Sequence, residues 1–349
     1  MLEISRDRLE SDPLTRPTPA QTPRSRRPAV AGWALLGAAV VALEVYVYAA
    51  WVLSGDFRAA PLGVTPPGAV RARAWGLQAV FALVAIGAIA WVIRGCLRKR
   101  RLTLDAKLWL GWMAMIVIDP AANWLRPQMS FNAYYVNRGS WVEHIPFWST
   151  KARTLPQPFL IETACFAFMI FVTVAGDKLM GWIKRRHPGM TPLRLTAWAW
   201  IAMSGFVLAI EAGIVMPSGW LIWSRTLPYF TLWRGTRHAM PLAEVVLWGG
   251  TITAMVALRH FAKEDGSTFV DKGLNGLAVS KRVQSALSTL AVVGFAFAAM
   301  GGYAIGMAST GPLTGAAPTH IQPYFRNGVC VEHAPSPQSA FLTQKLPPC

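Results

Sequence analysis

The chain has 349 residues, 53% of them hydrophobic and only 15% charged, against about 25% charged in an ordinary soluble domain. That balance excludes an ordinary soluble globule and leaves room for about seven apolar spans of roughly 20 residues with their loops. The net charge of +17 raises the question of a nucleic-acid partner. Most of the Lys and Arg, however, fall in short segments between alternate apolar stretches, as the positive-inside rule expects, and no nucleic-acid-binding motif accompanies them.

Residues 1–30 are rich in Pro, Arg, Ser and Thr without apolar periodicity, which predicts a disordered cytoplasmic tail. The pair Arg26-Arg27 could open a twin-arginine export signal. The apolar stretch that follows, Ala31 to Leu53, exceeds the signal core of about 7–15 residues, so an uncleaved first span is expected. The second span runs from Ala74 to Ile93 and stops at Arg94, Arg98, Lys99, Arg100 and Arg101. The third is predicted over Leu108 to Leu125, the fourth over Phe159 to Gly176 and the fifth over Leu195 to Met216. The sixth covers Pro241 to Leu258 and the seventh Val283 to Met307. The expected fold class is therefore all-α: a polytopic transmembrane helical bundle over residues 31–307, with an external C-terminal tail over 308–349. No internal repeat supports an inverted-repeat transporter. Gly302 and Gly306 form a small-residue pair that would let the last helix pack closely.

Lys and Arg counts set the orientation. With the N-terminus inside, the cytoplasmic segments hold 22 and the external ones 12, so a multi-pass cell-membrane protein with a cytoplasmic N-terminus and an external C-terminus is expected. Two external loops, 126–157 and 217–240, mix aromatics with Arg and His. They are predicted to lie at the interface or to fold over the bundle as a lid. For any single Trp, the ordinary reading is the aromatic belt.

Acids within the spans carry the functional signal. Glu44, Asp119, Glu162, Glu211 and Glu244 fall one each on spans one, three, four, five and six. A carboxylate in that setting costs about 2.5–3.5 kcal/mol on insertion scales and faces a cavity or a partner. All five belong to the external half, which predicts a polar pocket open outward or sideways; taken singly, each acid could equally be a neutral interhelical contact. On an α-helix, Asp119, Asn123 and Arg126 at i, i+4 and i+7 would share one face, with Arg126 neutralising one carboxylate. Two carboxyl groups in different surroundings can supply an acid and a base.

Several signatures are missing. The seventh span has no Lys for a retinal Schiff base. His144, His187, His238, His260, His320 and His333 are not spaced for haem or di-iron ligation on any span. There is no Walker motif and no GxSxG elbow. Cys96 and Cys165 have no metal-ligand spacing. Cys330 and Cys349, in the expected external tail, are candidates for a disulfide.

Asp119-Pro120, Asn123, Phe131-Asn132, Asn137 and Gly139-Ser140-Trp141, with the runs RGCLRKRRLTLDA and HFAKEDGSTFVDKGL, resemble the AveC family of actinobacterial membrane proteins. The resemblance runs from the first span to the last. It implies a spirocyclase of macrolide or other polyketide biosynthesis, which closes a dihydroxy ketone into a spiroketal and in some members dehydrates the product. A different polyketide or a lipid is the alternative substrate.

Ketalisation needs no cofactor and no metal, only an acid to assist loss of water and a base to take the hydroxyl proton. Asp119 and Glu162 are the candidate acid and base, with Arg126 and Asn123 orienting them. Glu211, Glu244 and Glu44 are candidate pocket residues. Asn132, Tyr134, Tyr135, Asn137 and Trp141 are expected to hold an apolar chain and shield a cation. The expected partners are an apolar polyketide-like small molecule and the bilayer. The competing readings are a proton-coupled carrier, which would place ionisable residues at several depths, and a non-catalytic scaffold.

Overall fold

A computed structural model describes residues 29–62, 64–148, 155–315 and 321–325. Most of the N-terminal tail, Lys151, Arg153, His320, His333, Cys330 and Cys349 lie outside the described residues.

Among the described residues, eight α-helices order the chain. They are α1 (Ala29–Leu53), α2 (Gly68–Lys99), α3 (Leu104–Ala114), α4 (Phe159–Arg186), α5 (Pro192–Ile210), α6 (Met216–Ser218), α7 (Leu242–His260) and α8 (Lys281–Thr310). Six segments among the described residues are long and apolar enough to cross a membrane: α1, α2, α4, α5 with its continuation to Ser218, α7, and α8 with its continuation to Leu313. The chain is an all-α, multi-span bundle.

The third expected span differs from a continuous helix. The α3 helix starts cleanly, with the Thr103 hydroxyl accepting from the Ala106 amide at 3.2 Å and Asp105 in its first turn. It then tightens into a 3-10 helix over Ile116–Asn123. Pro120 lies inside this stretch and has no amide hydrogen to continue an α-helical ladder. Irregular backbone at this depth is tolerated only where protein buries it. Accordingly, Trp112, Met115, Val117, Ala122 and Asn123 are buried, and α3 packs against α1, α2, α4, α7 and α8.

Ion pairs and hydrogen bonds fix one end of the bundle. Arg259, at the end of α7, bridges Asp105 at 2.9 Å and Asp177 of α4, and His260 Nδ1 lies 2.8 Å from the other Asp177 oxygen. At this same end, Lys107 donates to Ser288 at 2.6 Å, Ser288 donates to Asp271, and Asp271 caps Thr268. Glu162 and Glu244 lie 15 residues earlier on α4 and α7, about 22 Å away by helical rise. Asp119 meets Glu162 there. The segment from Asp105 to Asp119 therefore runs the same length of the bundle as α4 and α7.

The opposite end carries short β pairing that the sequence reading did not anticipate. Strand β1 (Met129–Phe131) pairs antiparallel with β2 (Leu221–Trp223), joining the two aromatic-rich loops in the register Met129–Trp223, Ser130–Ile222 and Phe131–Leu221. A second pair, β3 (Thr231–Leu232) and β4 (Met240–Pro241), leads into α7. Pairing satisfies the backbone of a buried cap. Ile321, Tyr324 and Phe325 pack on this cap beside Ile222, Leu62 and Val70.

The tightest helix contact joins α1 to α8. A side chain at Gly294 would meet the Trp33 carbonyl oxygen at 2.2 Å, and one at Gly37 would meet that of Leu290 at 1.9 Å. Only glycine permits this backbone approach. Gly306 packs under Leu247, whereas around Gly302 the space is open, so only one of that pair is a contact. Gly294→Leu should therefore force α1 away and lower stability by about 1–3 kcal/mol. The check is thermal unfolding in detergent, with Gly32→Ala, which meets open space, as the unaffected control.

Candidate active site

Four of the five intramembrane acids converge. Asp119 from the 3-10 segment, Glu162 from the first turn of α4, Glu211 after α5 and Glu244 from the first turn of α7 all line one hollow. Each owes its position to a departure from a plain helix or to a helix start. Glu211 opens a π-helical turn, Glu211–Val215, just ahead of Pro217; such wide turns accommodate a missing donor and often mark functional sites. The hollow contains about 830 Å³ of unfilled space counting its open mouth.

The acids form two pairs. Asp119 lies beside Glu162, and Glu162 accepts from Gln157 Nε2 at 2.5 Å. Glu211 is paired with Glu244 and accepts a long bond from Trp223 Nε1 at 3.4 Å. Tyr303 of α8 stands beside Glu244, with its ring edge-on to Trp248 at 5.5 Å. One oxygen each of Glu162 and Glu244 is buried with no hydrogen-bond partner among the described residues. In a native interior, such atoms call for an explanation, and a ligand is one. No three His, Cys, Asp or Glu side chains among the described residues are arranged to hold a metal ion.

The walls are apolar. Phe131 comes from β1, Phe166 and Phe168 from α4, Phe206 from α5, Trp220 from the cap and Trp248 from α7. Trp248 lies 5.9 Å from Trp112 and 5.8 Å from Phe166 between ring centres. Trp112 is held by its Nε1 donating to Thr173 at 2.9 Å.

Other expected pocket residues lie elsewhere. Glu44 is half-exposed on α1 and does not line the hollow. The expected shared face of Asp119, Asn123 and Arg126 is absent, because a 3-10 helix turns every three residues rather than 3.6. Arg126 instead donates to the Thr314 carbonyl at 3.0 Å. Asn123 clamps the turn into β1: its carbonyl accepts from the Gln128 and Met129 amides at 2.9 and 2.8 Å, and its amide donates to the Met129 carbonyl at 3.0 Å.

The cap takes the remaining polar and aromatic residues. Asn132 donates to the Gly219 carbonyl at 2.8 Å, and Asn137 accepts from the Ala60 amide at 2.8 Å. Tyr134 accepts from Trp75, Tyr135 approaches Ser218, and Trp141 donates to the Val117 carbonyl at 2.9 Å. They build the lid rather than the wall. Arg225 is buried there too, donating to the Pro127 carbonyl at 3.3 Å; burial, with Arg126 nearby, pushes its pKa down to about 10, so it stays charged at neutral pH.

Sequence reasoning missed Gln157, Trp223, Trp248 and Tyr303. Two of these carried a signal: Trp248 lies at i+4 from Glu244, and Tyr303 is the one titratable side chain on the last span beyond Arg282.

A family model described as spirocyclase AveC-like matches residues 99–327, a stretch that holds every lining residue except Phe81. Comparison with curated proteins and with solved structures gave no match.

Asn123 tests the clamp directly. Asn123→Ala leaves two buried amides and a buried carbonyl without this partner, and should lower stability by about 3 kcal/mol. Tyr303→Phe should leave stability within about 1 kcal/mol of the parent. Chemical or thermal unfolding of the two purified variants checks both.

Proposed function

The chain belongs to the spirocyclase AveC-like family, and from that premise we propose that it is a membrane-embedded acid–base cyclase acting on an open dihydroxy ketone. The observation that carries this reading is the meeting of Asp119 and Glu162, from separate elements, as neighbours in an apolar-walled hollow. Two neighbouring carboxyl groups in an apolar wall hold one proton more readily than two negative charges. The pair is thus an acid and a base side by side.

The chemistry balances on that pair. One substrate hydroxyl attacks the ketone carbon; its proton passes to the carboxylate, and the carbonyl oxygen takes the proton of the acid, giving a hemiketal. Protonation of the hemiketal hydroxyl releases one water and leaves an oxocarbenium ion. The second hydroxyl captures this ion and returns its proton to the carboxylate. The net reaction is loss of one water. Aromatic faces such as Trp248 and Phe166 suit a transient cation, and the negative partner of the pair stabilises it electrostatically. Glu211 and Glu244 line the same hollow, while Asn123 positions β1 and through it Met129 and Phe131.

The same reading gives seven crossings, with Leu104–Asn123 as the third, a cytoplasmic N-terminus and an external C-terminus. The length that this segment covers along the bundle and the Lys and Arg distribution support it. Reporter fusions at the two termini should then report opposite sides of the membrane. Reporters on one side would mean an even number of crossings.

Membranes carrying the protein should cyclise an open dihydroxy ketone with a stereochemical bias absent from control membranes. Asp119→Asn and Glu162→Gln should each lower that rate about 100-fold or more, the range for loss of a proton-transfer group. Parental rates in both folded variants would remove the assignment.

A further inference from the structure

We propose that the hollow is entered sideways from the bilayer, through a cleft between α2 and α5 floored by α4, and that its ligand is accordingly an amphiphile. The oxygenated end would lie at the carboxyl groups and an extended apolar chain along the cleft. The nature of the reacting end rests on the cyclase reading; the cleft and the apolar chain rest on helix packing.

The packing is uneven around the hollow. The α5 helix is sewn to α7, where a side chain at Gly249 would meet Ser204 at 2.4 Å. The α2 helix lies against α4 through Phe81–Phe168, at 6.2 Å between rings, and Trp91–Phe171, at 5.7 Å. Yet α2 and α5 do not pack against each other along their lengths, although α6, the continuation of α5, does reach α2. The two helices are thus joined beside the cap and part below it. Both are among the least buried of the spans.

The gap leads to the acids. Phe81 of α2, Phe168 of α4, and Phe206 and Ile210 of α5 all line the hollow, and all are only half-buried. Phe81 also stacks edge-on against Trp220 of the cap, at 5.9 Å, so the cap closes this side above. Every one of these residues is apolar, and an apolar mouth on the flank of a bundle faces acyl chains. A small polar ligand would gain nothing there. An alkyl chain crosses from lipid into the cleft without passing through water and leaves only its polar end to be desolvated. Phe81 lies outside the residues that the family model matches, so this wall is a place where chain length and shape can be tuned without altering the acids.

The test uses two substrates with the same dihydroxy ketone core, one bearing a long alkyl chain and one short and water-soluble. Ile210→Trp and, separately, Phe206→Trp should lower kcat/KM, through KM, at least tenfold more for the long-chain substrate than for the short one. A long-chain analogue carrying a photoreactive diazirine at mid-chain, in vesicles with the parental protein, should label peptides of α2, α4 and α5 around Phe81, Phe168 and Phe206. Labelling on the α1–α8 face or on the external loops would overturn the proposal, as would equal losses for both substrates. Labelling in the cleft without any turnover would uphold the portal and count against the cyclase reading. Turnover with labelling elsewhere would do the reverse.

Discussion

A carboxyl group inside an apolar slab must find a proton, a partner or water, and this chain has four of them at one level. Scattered over the lipid-facing surface, they would each cost about 2.5–3.5 kcal/mol on insertion scales. Gathered into one hollow, Asp119 and Glu162 become neighbours, as do Glu211 and Glu244. Gathering them requires breaks in regular helices: the 3-10 stretch around Pro120 aims Asp119, and the π turn before Pro217 aims Glu211. Broken helices free backbone groups, which must then be buried and paired. The β1–β2 pair and the Asn123 clamp do this for the chain beyond the third segment.

The two ends of the bundle divide the work. At one, Arg259 ties α7 to α3 and α4, and Lys107, Ser288 and Asp271 tie α3 to α8 and its preceding turn. Along the α1–α8 seam, Gly37 and Gly294 bring backbones into contact. These features hold the frame around α3. The other end carries the acids, the cap and the loosely joined α2 and α5, where a guest can be admitted without disturbing that frame.

Much of this was legible in the sequence, for a physical reason: insertion into lipid imposes a strong, local pattern. The apolar runs from Ala31, Leu195, Pro241 and Val283 emerge as helical segments within about three residues of their expected ends, while α4 continues ten residues past Gly176; the rarity of acids in the apolar runs marked Asp119, Glu162, Glu211 and Glu244. The third segment was misjudged because helical periodicity was carried through Pro120, which placed Arg126 on the face of Asp119. Glu44 was misjudged because depth along a span does not fix which side of the helix a residue occupies. Asn132, Tyr134, Tyr135, Asn137 and Trp141 looked like a binding surface by composition. They form the lid because pairing of two loops distant in sequence, which no local pattern announces, turns them toward backbone partners. Tyr303 and Trp248 were hidden among ordinary aromatic residues of spans.

The most direct measurement of the shared hollow is its stoichiometry toward a lipid-soluble carbodiimide, which reacts with protonated carboxyl groups in apolar surroundings. Mass spectrometry of the purified protein in vesicles should find the cavity acids modified in a mutually exclusive way, close to one adduct among Asp119, Glu162, Glu211 and Glu244 per chain. Glu44 should react independently of them. Independent modification of all four cavity acids on the same chain would contradict the account, since groups that share one hollow cannot each accommodate a bulky adduct.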